Sequence, residues 1–205
     1  AVKMLADQGI TARFFQGDVT SETCVKEVVA GVDEAYGKID VLVNNAGGLG
    51  GRSPIADMGT DFWDKVLNLN LKSTFLFVRE CIPLLKRGQS ASIINNTSIA
   101  AYTGGGPGAA AYATAKAGVI AFTRGLAKEL APFGIRVNAV SPGTIDTDFH
   151  SATAKDLLRS WEQSIPMKRL GLPSEVAGVV FFLASEEASY LTGEIIQVNG
   201  GQMMM

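Results

Sequence analysis

The sequence predicts an α/β domain built on a doubly wound parallel sheet, and three observations carry that expectation. Short apolar runs alternate with runs of helical period along the whole chain, the pattern of successive βαβ units. The apolar runs are nearly continuous, as strands covered on both faces require. Asp18, Asn45, Ser98 and Pro142 fall just after such runs, beyond the carboxyl ends where ligands settle in sheets of this kind. A chain of 205 residues with 47% hydrophobic residues suffices for one domain, 1–205, with a sizeable core.

Taken in order, residues 1–8 read as the tail of a helix already under way, with Gly9 as its stop. Residues 11–16 (TARFFQ) read as a short strand leading to Asp18-Val19. Residues 21–36 have helical spacing, with Thr20 or Ser21 as N-cap and Gly37 at the end. Residues 40–43 (DVLV) form a buried strand running into Asn44-Asn45-Ala46-Gly47. Residues 60–87 are helical in two pieces, because Asn70 is a poor helix-interior residue. Residues 91–96 (ASIINN) are a strand leading to Ser98, and the Gly/Ala-rich stretch 100–111 is a loop. Residues 109–131 make a long Ala-rich helix, 135–140 a strand ending at Ser141-Pro142-Gly143, 174–184 a helix and 194–198 the last strand.

Composition excludes several classes. A net charge of −2 and the absence of a basic stripe argue against nucleic acid as partner. Charge or glycine breaks every apolar run before roughly 18 residues, so no membrane span is expected. The single histidine, His150, leaves little for a metal site, and none is expected. Cys24 and Cys81 read as two buried free thiols of a reducing compartment, and a cytoplasmic location is expected.

The chemistry centres on Tyr112-Ala-Thr-Ala-Lys116. Tyr and Lys one helical turn apart share a face. A neighbouring ammonium favours the phenolate and lowers the phenol pKa from its usual value of about 10, which suits proton transfer. A hydroxyl such as Ser98 aimed at the same point steadies a carbonyl or alcohol oxygen. The set indicates proton transfer at a C–O centre, without revealing the step it accompanies.

The ordered motifs Asp18-Val19, Asn44-Asn45-Ala46-Gly47, Asn70, Ser98, Tyr112-xxx-Lys116, Pro142-Gly143 with Thr147, and Thr192-Gly193 with Val198-Asn199-Gly200-Gly201 resemble the short-chain dehydrogenase/reductase family over essentially the whole chain. The resemblance implies a Rossmann-like fold and hydride exchange with NAD or NADP. By that likeness Asn70, Ser98, Tyr112 and Lys116 are the catalytic set: Tyr112 the proton donor or acceptor, Ser98 the partner of the substrate oxygen, Asn70 the holder of a water joined to Lys116. Asp18 and Val19 would meet the adenine, and Asn45, Ala46 and Gly47 would pass under its ribose while tying the strands together. Lys116 would also hold the nicotinamide ribose, and Pro142, Gly143, Ile145 and Thr147 would shape the nicotinamide end.

The family's Gly-rich phosphate loop and its first two strands have no counterpart here, and Gly104-Gly105-Gly106 lies in the wrong place to supply one. We expect a longer native protein that carries them. Residues 148–170 resemble the family's substrate lid, with Phe149, His150, Trp161, Ile165 and Met167 as lining and Trp63 or Leu49 opposite. Arg169 and Lys168 are either partners of an acidic substrate or a solvated pair. The expected substrate is a sugar, polyol or sugar acid; the alternatives are a 3-oxoacyl group on acyl carrier protein, docked near Lys86-Arg87, and a non-catalytic binding role. Apolar residues around 70–87 and 111–131, among them Phe75, Phe77, Val78, Phe122 and Leu126, match family dimer interfaces and imply a homotetramer.

Overall fold

The computed structural model describes residues 2–151 and 153–204. Ala1, at the start of the expected first helix, and Ala152, inside the expected lid, lie outside them. Four parallel strands, β1 (Val41–Asn44), β2 (Ser92–Asn96), β3 (Arg136–Pro142) and β4 (Ile195–Val198), pair in the order β1-β2-β3-β4. β2 and β3 are buried along nearly their whole length, which explains their continuous apolar pattern.

Helices cover both faces. On one, α2 (Glu22–Tyr36), α4 (Ser73–Leu85) and α6 (Ala110–Leu130) enclose Val25, Leu76, Leu85, Leu130, Ile93 and Val137. On the other, α8 (Pro173–Ala184) packs Leu183 against Ile94 and Val140. α1 (Val2–Ala6) ends at Gly9, whose φ of 74° takes the left-handed turn that glycine permits. Ser21 caps α2 by accepting from Cys24 N, and Gly37 closes it.

Residues 60–85 form α3 (Thr60–Leu67), a π-helical turn (Asn68–Lys72) and α4, so the expected break falls on Asn70. Pro83 lies inside α4, near its end at Leu85. Residues 100–103, expected in a loop, form the short helix α5 (Ala100–Thr103). Residues 11–16 do not form the expected strand. Strand geometry persists only in a ladder, and this segment has no hydrogen-bonded neighbour strand among the described residues. It lies on α2 instead, Phe15 so close to Gly31 that a Cβ there would stand 2.8 Å from the ring. Cys81 is buried as expected, whereas Cys24 is only partly covered. Among the described residues no helix is long and apolar enough to cross a membrane, and no cluster of three or more His, Cys, Asp or Glu suited to a metal occurs.

Candidate functional site

The carboxyl ends of β1, β2 and β3 meet the first turns of α6, and the acid–base residues gather there. Lys116 is 3% exposed and donates from Nζ to the Asn96 carbonyl at 2.7 Å, fixing α6 to the end of β2. Thr97 donates from its hydroxyl to the Lys116 carbonyl at 2.9 Å and from its backbone N to Val140 O, stitching α6, β2 and β3 together. Tyr112 is nearly buried, its ring centroid 5.8 Å from Lys116 Nζ. Ser98 is half-buried in the turn after β2, and its hydroxyl oxygen accepts from Ala100 N at 3.1 Å.

Asn70 explains the π-helical turn. Its Nδ2 donates to Gly48 O and Val66 O, both at 2.9 Å, and its Oδ1 accepts from Gly48 N at 3.0 Å. Satisfying three buried backbone groups of two elements is worth the loss of regular α geometry. The Asn70 amide thus ties α3 and the π-helical turn to the loop after β1, with both its N–H groups used. Gly47 runs under this group: a Cβ there would lie 2.7 Å from Asn70 Oδ1 and 3.2 Å from Lys116 Nζ.

One expectation is reversed in direction: burial raises the Tyr112 pKa above its ordinary value, opposed by a hydrogen bond with Ser98 that favours the phenolate. Burial also pushes the Lys116 ammonium down to about 8, because its charged form loses water.

Asn45 Oδ1 accepts from Asn96 Nδ2 at 2.8 Å, tying β1 to β2 as expected, and Asn44 Nδ2 donates to Asn95 Oδ1 at 2.8 Å to the same effect. Pro142 O accepts from Ile99 N, and Gly143 N donates to Val198 O, which places the turn after β3 beside the turn after β2. Gly143 admits no side chain, since a Cβ would stand 2.7 Å from both Asn199 Cβ and Gln202 Oε1. Ile145 pairs with Gly171, and Thr147 is exposed. Asp18 is turned into its own segment, accepting from Thr20 N and Oγ1 at 2.8 Å, and no hydrogen bond among the described residues joins Asp18 or Val19 to Ala46 or the strand end.

The lid contains α7 (Lys155–Ser164), which buries none of its residues. Phe149, His150 and Trp161 continue from Tyr112 as an aromatic row. Ile165 is fully buried and lines no opening, because it packs beneath Gly200. Met167 is exposed. Leu49 and Trp63 pack beside Tyr112 in a cluster with Val66, Ala100 and Ala111. Arg169 is held bidentately by Glu175, and Lys168 donates to the Gln163 carbonyl. Lys86 lies over the Phe133 ring and Arg87 pairs with Asp33. A cavity of about 220 Å³ opens behind Thr144 and Ile145, lined by Glu175, Gln197 and Asn199; none of the acid–base residues borders it.

Asn96, Thr97, Asn95 and Gln202 were missed from sequence. Two adjacent asparagines in an otherwise apolar buried strand were the available signal, since buried amides demand partners. Gln202 gave none: its bond to Thr144 N closes a loop through the far end of the chain.

A parallel sheet with tyrosine, lysine and serine gathered at its carboxyl ends is an arrangement suited to proton transfer at a C–O centre. A family model described as enoyl-(acyl carrier protein) reductase matches residues 1–203. The 3-oxoacyl-[acyl-carrier-protein] reductase of Staphylococcus epidermidis is 41% identical over 203 residues, 99% of this chain and 82% of that protein. An NADH-dependent reductase responsible for alginate metabolism superposes with a TM-score of 0.90 at 36% identity, covering 100% of this chain and 81% of that one. A glucose/ribitol dehydrogenase of Brucella melitensis superposes with a TM-score of 0.90 at 37% identity, covering 100% and 82%. The chain belongs to the short-chain dehydrogenase/reductase family.

Proposed function

We propose that this protein reduces 3-oxoacyl thioesters, with Tyr112 delivering the proton to the carbonyl oxygen. The observation that carries the substrate class is the 41% identity, across 99% of the chain, to a 3-oxoacyl-[acyl-carrier-protein] reductase. This reverses the preference for sugars and polyols drawn from sequence. The sugar reading stays second, favoured by the likeness to the glucose/ribitol and alginate-metabolism enzymes.

A bound nicotinamide supplies or accepts the hydride. Lys116 suits its ribose: an ammonium has three N–H groups, and the Asn96 carbonyl takes one, leaving two for a vicinal diol. In reduction the Tyr112 O–H bond breaks toward the substrate oxygen, and Ser98 donates to that same oxygen. Burial raises the Tyr112 pKa and so favours the protonated phenol over the phenolate. NAD and NADP both remain compatible with the residues present. Of the residues expected at the dimer faces, Phe75 is exposed and supports a homotetramer, to be read by sedimentation velocity, whereas Val78 and Leu126 are buried in the core of the chain itself.

The test is nicotinamide oxidation with acetoacetyl thioesters, ketoses and keto-sugar acids, using NADH and NADPH in turn. Turnover of the thioester above the sugars is expected. Cofactor binding without turnover of any substrate would instead favour the non-catalytic role.

A further inference from the structure

Arg52 lies outside every motif that identified the site. It stands in the loop between β1 and the 3-10 turn Ile55–Asp57. Its Nη1 donates to the Pro107 carbonyl at 2.9 Å, and Ser53 N donates to Gly108 O at 3.0 Å. A Cβ on Gly108 would meet the Arg52 Cβ at 3.0 Å, so the two loops touch closely. The second loop leads straight into the first turn of α6 and Tyr112. The guanidinium is therefore held at the mouth of the site by one edge only. Among the described residues it forms no ion pair, whereas Arg79, Arg87 and Arg169 each do. No hydrogen bond engages its Nε or Nη2 among those residues, which leaves a two-donor edge of the kind that carboxylates accept.

His150 approaches from the lid. The aromatic row runs from Tyr112 to Phe149 at 5.9 Å, then to His150 at 5.0 Å and Trp161 at 5.8 Å. His150 is half-buried, and its pKa is lowered first by that burial and then by the Arg52 charge, with Asp146 opposing. His150 closes the lid side of Tyr112 through Phe149, while the Arg52 guanidinium is fixed to the loop that enters α6.

We propose that Arg52 anchors a substrate carboxylate, so that the site accepts small free oxo acids in addition to thioesters. This rests on the reading of Tyr112 as proton donor. The overall step balances as carbonyl plus reduced nicotinamide plus the Tyr112 proton giving a hydroxy acid and oxidised nicotinamide. The carboxylate itself is unchanged.

The test pairs each acid with its own neutral ester: acetoacetate and levulinate against their methyl esters, with acetoacetyl thioester as the reference. Arg52→Ala is expected to lower kcat/KM for the acids about 10- to 100-fold, the scale of a lost charge-assisted bond, and to leave the esters and thioester nearly unchanged. Arg52→Lys should recover part of the loss. Equal effects on acid and ester, no effect on either, or failure of wild type to turn over the acids while reducing the esters overturns the anchor. Quenching of Trp161 fluorescence by acetoacetate, with Trp161→Phe as control, reads binding without turnover. Acid binding that Arg52→Ala abolishes, in a protein inert to every substrate, would sink the Tyr112 reading and leave the anchor standing. Binding unchanged in Arg52→Ala overturns the anchor whatever the turnover.

Discussion

The acid–base cluster and the lid lie against each other, and they are built in opposite ways. Tyr112 and Lys116 project from α6, which buries eleven of its residues against the sheet and its neighbours. Each polar group around them is bound to backbone of another element: Lys116 to Asn96, Thr97 to Lys116, Asn70 to Gly48 and Val66. The lid helix α7 buries nothing, and the lid meets Tyr112 through Phe149, a tilted pair at 5.9 Å. Chemistry common to many substrates is held by the core, where a small displacement is costly. On the proposed reading, substrate choice falls to α7 and its neighbours, a segment with little local stability that opens at low cost. Substitutions in the cluster should therefore change rate or stability strongly, and those in the lid should change specificity with the fold intact.

The largest effect is expected from Tyr112→Phe. It removes the transferable proton while keeping the ring in place, so kcat should fall about 100- to 10,000-fold. The melting temperature should barely move. Retained turnover in a steady-state assay would falsify the proton-donor role. Next comes Asn70→Leu, which leaves Gly48 N, Gly48 O and Val66 O without their side-chain partner. A loss of about 2–5 kcal/mol in denaturant unfolding is expected, since each buried unpaired group costs about 1–3 kcal/mol and water offsets part of it. Gly47→Ala tests the same junction from the other side. Its Cβ would press on Asn70 Oδ1, which three bonds hold in place, and a destabilisation of about 1–3 kcal/mol should accompany weaker cofactor binding.

Much of this cluster was legible beforehand, because it depends on local rules. Helical spacing set Tyr112 over Lys116, and the poor helix propensity of asparagine marked the break at Asn70. Strand-end position brought Ser98 and Pro142 to the same edge. What escaped was set by tertiary partners. The strand expected at 11–16 has suitable side chains but no ladder to join. The sign of the Tyr112 shift depends on burial, which sequence spacing does not report. Ile165 was expected to face substrate, and only the fold of the lid shows it beneath Gly200. Arg52 belongs to no periodic pattern, and its place follows from a bond to a loop far along the chain.

Lys116 offers a pH test of how the cluster is held. Its folded pKa, about 8, lies below its unfolded value of about 10.5. Below pH 8 both states carry the charge, and burying it costs stability in full. Between about pH 8 and 10 the unfolded chain holds more protons, so unfolding free energy should rise with pH. Above about pH 10 Tyr112 acts in the opposite sense, because its raised pKa penalises the folded phenol as the unfolded one ionises. Lys116→Met should abolish the rise, which amounts to a few kcal/mol, and denaturant unfolding at a series of pH values would show it. An identical slope in both proteins would mean that Lys116 titrates normally.

The smallest effect on the fold, and the sharpest contrast with the cluster, is expected from Trp161→Ala. Trp161 is only partly covered, and its one aromatic neighbour is His150, at 5.8 Å. Unfolding should change by less than about 1 kcal/mol, as for substitutions outside a packed core. The kcat for a small substrate should stay near wild type, since the proton path through Tyr112 and Ser98 does not include the indole. KM should rise several-fold for substrates long enough to reach the lid, and hardly at all for acetoacetate esters. A Trp161→Ala protein that loses stability as Asn70→Leu does would show the lid to be part of the core, and the division between a fixed chemical centre and a loosely held selector would fail.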